Sequence, residues 1–125
     1  MRSVFSCVVG LCLLGLMGCA EQSSVEAANS QRAKYILVTA LDAWKAGHPE
    51  SLSTRSPAIR FADEDQKAGF QLVDYEFADE SAQIKPFKNV KMVLMLKDQQ
   101  GGASRKIASY QLGVEPGLTV LRSDN

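Results

Sequence analysis

Few side chains in this 125-residue chain are of types that do chemistry, and they are thinly spread. Three cysteines stand at Cys7, Cys12 and Cys19, a single histidine at His48, and carboxylates gather at Asp63-Glu64-Asp65 and again at Asp74 and Glu76 on either side of Tyr75. A zinc site needs three or four nitrogen, sulfur or carboxylate ligands, and His48 has no histidine partner. Between Gly47 and Pro49 it sits instead where a cation meets the negative end of a helix. The acidic triplet lacks the loop glycine and distal glutamate of the helix-loop-helix calcium motif, so it reads as a solvated helix start. Asp74 and Glu76 fall on one strand face and Tyr75 on the other; Asp74 would be placed as a base only if its face lined a cavity, and the alternation puts Tyr75 inside instead. No serine, cysteine or lysine lies in a nucleophile motif, and there is no glycine-rich phosphate loop. The sequence therefore assigns no catalytic residue, no metal ligand and no cofactor.

Cys19 is the exception, because of what precedes it. Arg2 is followed by an apolar run over 4–17 and a small residue at Gly18, the layout of a secretory signal. At 1.5 Å per residue the run reaches roughly 21 Å, short of the ~30 Å of a bilayer core. The ending Leu16-Met17-Gly18-Cys19 resembles the lipobox of bacterial lipoproteins, with an aliphatic residue three before the cysteine and a small one directly before it. That resemblance implies cleavage between Gly18 and Cys19, acylation of Cys19, and a protein held on the cell membrane or outer membrane, facing the periplasm or exterior. In that family an aspartate after the cysteine favours inner-membrane retention; here Ala20 follows, which leans towards the outer membrane. Two or three acyl chains on one residue hold a protein where a single chain gives only reversible binding.

Loss of residues 1–18 would leave 107 residues, enough for one modest core. Arg2 would leave with them, so 13 basic residues would face 14 acidic ones, a balance with no footprint for nucleic acid. Cys7 and Cys12 would leave too. No internal disulfide is then expected, and the core must stabilise the domain unaided.

The elements that position these residues follow from apolar spacing. Residues 19–30 are polar and small, a lipidated tether that can turn helical towards its end. The domain proper is expected over 31–125. Ala33, Leu37, Ala40, Leu41 and Trp44 recur at helical intervals, which predicts a helix over 31–46, capped by Ser30 and stopped by Gly47 and His48-Pro49. A helical turn anchored by Leu52 follows, then a short edge strand over 58–61 and a second helical turn opened by the acidic triplet. Alternation next predicts strands over 70–77, with Val73, Tyr75 and Phe77 inward, over 87–97, with Val90, Met92, Leu94 and Leu96 on one face, over 104–112 and over 118–121. The charged end, 122–125, is expected to fray.

A long amphipathic helix followed by a meander can bury its stripe only against the sheet, so the expected class is α+β, with the N-terminal helix packed on a curved antiparallel sheet of about four strands. This order of elements resembles the cystatin-like and NTF2-like cone folds. The stretches 40–47, 62–65 and 72–76 also resemble a group of small uncharacterised bacterial exported proteins, which brings no activity with it. Two functional expectations follow: a membrane-anchored, non-enzymatic binding or envelope-interaction module with an envelope protein as partner, or an NTF2-like small-ligand binder or enzyme using a cavity between helix and sheet, with Asp74 and Tyr75 as its candidates.

Overall fold

The computed structural model describes residues 17–80 and 84–124, with side chains from Val25 onward. The expected signal segment, the cleavage point at Gly18 and the lipidation residue Cys19 lie outside the described side chains.

Helix α1 spans Met17–Lys45. Ala33, Ile36, Leu37, Ala40, Leu41 and Trp44 form its buried stripe, as the three- and four-residue spacing predicts. The helix does not begin at the expected cap: residues 25–30 are already helical, so Ser30 sits inside α1 and this part of the expected tether is a continuation of the helix. Glu26, Ala27 and Ala28 are good helix formers, and once the packed half has nucleated a helix each further residue is added at little cost. The C-terminus closes as expected at Gly47, whose φ is +85°. Gly47 N–H donates to the Trp44 carbonyl and His48 N–H to the Ala43 carbonyl, both at 2.9 Å, the paired bonds of a Schellman stop. His48 thus caps with its backbone, while its exposed ring turns to Glu50, with Nδ1 3.4 Å from Oε1.

Two single-turn helices follow, α2 (Ser51–Thr54) around buried Leu52 and α3 (Glu64–Lys67), with strand β1 (Ile59–Ala62) between them. The remaining strands are β2 (Gln71–Phe77), β3 (Asn89–Lys97), β4 (Ala103–Gly113) and β5 (Leu118–Arg122). They form one strongly curved sheet in the order β1-β5-β4-β3-β2, a half-barrel around α1. The α+β class holds, but the sheet has five strands and is mixed. β2 to β5 are the expected antiparallel meander, while β1 adds to the free edge of β5 in parallel, Ile59 opposite Leu118 and Phe61 opposite Val120. Apolar alternation marks a strand without saying which edge it joins; the chain returns over α3 and four strands before that edge exists.

One register differs from the simple alternation. Leu72 pairs with Leu96 but Asp74 with Met95, so a bulge at Val73 shifts the face. Leu72 is fully buried and Val73 is 48% exposed, the reverse of the expectation, while Tyr75 and Phe77 remain on the packed side. In β3 and β4 the pattern holds: Val90, Met92, Leu94 and Leu96 meet Ala108, Tyr110 and Leu112 in the core under α1. Each such Leu, Ile or Val contributes roughly 1.5–3 kcal/mol by leaving water. Val93 points outward, opposite Glu76 and Ile107, and those neighbours leave it only 6% exposed. Trp44 lies tilted against Phe61, ring centroids 6.1 Å apart, and its indole N–H donates to the Phe70 carbonyl at 2.9 Å, which fastens the end of α1 to the start of β2.

Candidate functional site

The inward faces of two neighbouring strands, β1 and β5, run out of apolar residues at the same end of the half-barrel. In β1 the series Ile59, Phe61 is continued by Asp63; in β5 Leu118, Val120 is continued by Arg122; opposite Arg122 in β4 stands Tyr110. Asp63 is 1% exposed and caps α3, its Oδ1 accepting from the N–H groups of Asp65 at 2.8 Å and Gln66 at 3.0 Å. Its Oδ2 accepts the Tyr110 hydroxyl at 2.5 Å. Arg122 Nη1 donates to both Asp63 oxygens, at 3.2 and 3.1 Å, and to Asp65 Oδ2 at 2.9 Å. Arg122 Nε donates to Asp124, whose same oxygen accepts from Ser109 N–H at 3.1 Å. Lys106, on the rim of β4, reaches Asp65 at 3.0 Å.

The electrostatics explain why these charges tolerate burial. Removal from water alone would lower the Arg122 pKa, but the bonds to Asp124 and Asp65 and the charge of Asp63 outweigh it and hold the guanidinium more firmly cationic than usual. Burial, reinforced by the charge of Asp63, pushes the Tyr110 phenol above its ordinary range, so it stays a proton donor. Burial works against the charge on Asp124, and the bond from Arg122 prevails and lowers its pKa. One atom is left over: Arg122 Nη2 is buried without a hydrogen-bond partner among the described residues, 4.0 Å from Glu64 Oε1.

This cluster corrects two expectations. The acidic triplet opens α3 as expected, but Asp63 and Asp65 are buried ion-pair partners and not solvated, and Arg122, expected to lie in a frayed end, is an inward strand residue with a side chain 4% exposed. Glu64 alone of the triplet faces water. The signal was present in the alternation: carried two residues beyond Phe61 and beyond Val120, it lands on opposite charges. The cluster lines neither the concavity at Phe77 and Ile84 nor the one at Leu52 and Ile59. It acts as a clasp joining β1, α3, β4 and β5.

The candidates named from the sequence are not gathered. Asp74 is exposed and takes a 3.2 Å bond from Lys45, which lowers its pKa after the larger effect of Tyr75 N–H. Tyr75 donates to Asp42 at 2.6 Å and is pushed above its usual range, first by burial and then by that carboxylate. Among the described residues no group of three or more His, Cys, Asp or Glu is placed to hold a metal ion. Nor, among the described residues, is any helix long and apolar enough to cross a membrane.

A separate groove of about 850 Å³ opens between the N-terminal half of α1 and the chain leaving β2. Phe77 and Ile84 give it an apolar floor and Glu26, Lys34, Glu80 and Lys85 a charged rim, with Lys34 Nζ 5.5 Å from the centre of the Phe77 ring. Comparison of the chain with protein-family models, with curated proteins and with solved structures finds no match in any of the three.

Proposed function

We propose that this chain is a bacterial lipoprotein, anchored through Cys19 to the cell membrane or outer membrane and facing the periplasm or exterior, whose cystatin-like or NTF2-like cone is a non-enzymatic binding or envelope-interaction module. The observation that carries the reading is the placement of Cys19 at the end of an apolar run, with Leu16 and Gly18 at the lipobox offsets. The character of the domain supports the second half. Leu37, Leu41, Trp44 and Tyr110 fill the space between helix and sheet, and the inward charged groups are consumed by one another. The partners of this reading are the bilayer, through the acylated cysteine, and an envelope protein; nucleic acid is not among them.

Metabolic labelling with a fatty acid tests the anchor: the wild type takes the label and enters the detergent phase, and Cys19→Ser does neither. An unlabelled wild type refutes it. Crosslinking in the native envelope followed by mass spectrometry then tests for the partner.

The groove beside Phe77 favours a second reading, a small-ligand binder or enzyme of the NTF2-like kind. Asp74 and Tyr75 do not line it, so that reading would use Lys34 and Lys85 to orient a ligand over the apolar floor.

A further inference from the structure

The chain between β2 and β3 holds a backbone conformation that its sequence resists. Lys85-Pro86-Phe87-Lys88 is a four-residue turn in which Lys88 N–H donates to the Lys85 carbonyl at 3.3 Å. Its third residue takes φ +63°, the value such turns reserve for glycine or asparagine, and that residue is Phe87. Phe87 N–H donates to the Leu112 carbonyl at 2.6 Å and its carbonyl accepts from Gln111 Nε2 at 3.3 Å, so the neighbouring strand holds the strained residue in place. The ring is not thereby buried: Phe87 is 60% exposed, and both flanking lysines face water. Strain retained at a residue whose side chain adds little to the core points to a use for that side chain.

We infer that this turn is a membrane-contacting point, with Phe87 entering the interfacial layer of the bilayer and Lys85 and Lys88 lying against lipid phosphates. The inference rests on the anchor at Cys19. Cys19 stands six positions before Val25 on helix α1, so the acylated residue lies roughly 9 Å from Val25 along the helix axis. Val25 and the turn occupy one end of the domain: Lys85 and Pro86 line the same groove as Glu26 and Ala27 of α1. The hairpin between β3 and β4 is at the other end, eight residues along β3 or roughly 27 Å away. The anchor therefore brings the Lys85–Lys88 end, and not the hairpin, to the lipid surface. An aromatic ring between two snorkelling lysines is the side-chain set that suits this layer.

The test uses the lipidated chain in vesicles of phosphatidylethanolamine and phosphatidylglycerol. Because Cys19 is blocked by its lipid, Phe87→Cys and, as the far-end control, Gln100→Cys each accept a single environment-sensitive fluorophore. The probe at 87 is expected to shift to the blue and to lose at least half its emission to spin-labelled lipid, while the probe at 100 changes little. Phe87→Gly relieves the positive φ, so its melting temperature should equal or exceed that of the wild type, while a probe at Lys88→Cys in that background loses its quenching. A labelled, floating protein whose probe at 87 stays in water overturns this inference alone. A chain that takes no fatty acid overturns the anchor and this inference together. A probe shielded in whole envelopes but not in protein-free vesicles would mean that a protein covers the turn, and overturns the lipid assignment.

Discussion

The Tyr110 hydroxyl donates a hydrogen bond to Asp63 across 2.5 Å of space and 47 residues of chain. That bond joins the middle of the sheet to the junction of β1 and α3, and Arg122 completes the joint from the last strand. Buried charge of this kind is expensive to leave half-made: the loss of one partner strands the others away from water.

Removing Arg122 should therefore be far more damaging than removing Lys106. Arg122→Met leaves Asp63 and Asp65 without their buried cation and is expected to destabilise the domain by about 3–5 kcal/mol, whereas Lys106→Met, at a rim pair, is expected to cost less than about 1 kcal/mol. Tyr110→Phe should fall between them, at about 1–3 kcal/mol, for the loss of one buried hydrogen bond to a charged group, Asp63 Oδ2 keeping only its bond from Arg122. Urea denaturation midpoints of the three variants give the order directly.

The three tyrosines should separate on alkaline titration. Tyr35 is held below its ordinary range by a 3.2 Å bond and the charge of Arg55, while burial raises Tyr75 and Tyr110. Near-ultraviolet difference absorbance should show one phenol ionising before pH ~10 and two ionising only as the protein unfolds. For those two the native pKa lies above the unfolded one, so their contribution is whole below pH ~10 and is lost above it. Arg55→Ala should move the early step upward; three coincident steps would contradict the assignment.

On the acid side the sign reverses. Asp124 has a lowered native pKa, so its contribution is present above the unfolded value of ~3.9 and disappears as pH falls through the native value. Urea midpoints of the wild type should decline more steeply below pH ~4 than those of Asp124→Asn, and the two curves should converge at the acid end.

Gly47 is required for its backbone and not for space. A Cβ there would meet nothing within 4 Å, yet φ is +85°. Gly47→Ala should lower stability by about 1 kcal/mol, and Gly47→Asn by less. Thermal melts at one pH decide it.

Trp44, the only tryptophan, is 3% exposed and bonded to the Phe70 carbonyl. Its native emission should be blue-shifted and poorly quenched by acrylamide. Trp44→Phe keeps an aromatic side chain but loses part of the buried ring and the N–H that reaches that carbonyl, for an expected loss of about 1–3 kcal/mol.

Much of the scaffold was readable because it depends on local repetition. The stripe from Ala33 to Trp44, the stop at Gly47, the anchor at Leu52 and the inward series of β3 each follow from spacings of two, three or four residues. The reading failed where a non-local partner overrode the local pattern. Val73 is apolar and in phase with Tyr75, yet the pairing of β2 with β3 admits an extra residue and turns it outward. Asp63, Asp65 and Arg122 looked like ordinary surface charges because single charges usually are; each is inside only because the other two are there.

From composition and order of residues alone came the apolar run before Cys19, the long helix, the strand-forming segments and the α+β class, since these depend on neighbours a few positions apart. Only the folded chain determined that β1 lies parallel to β5, that 63 and 122 meet, and that Phe87 is held outward in a strained turn. Those facts depend on which distant segments share an edge, and pairing of that kind is decided by the free energy of the whole sheet, which no short window of sequence contains.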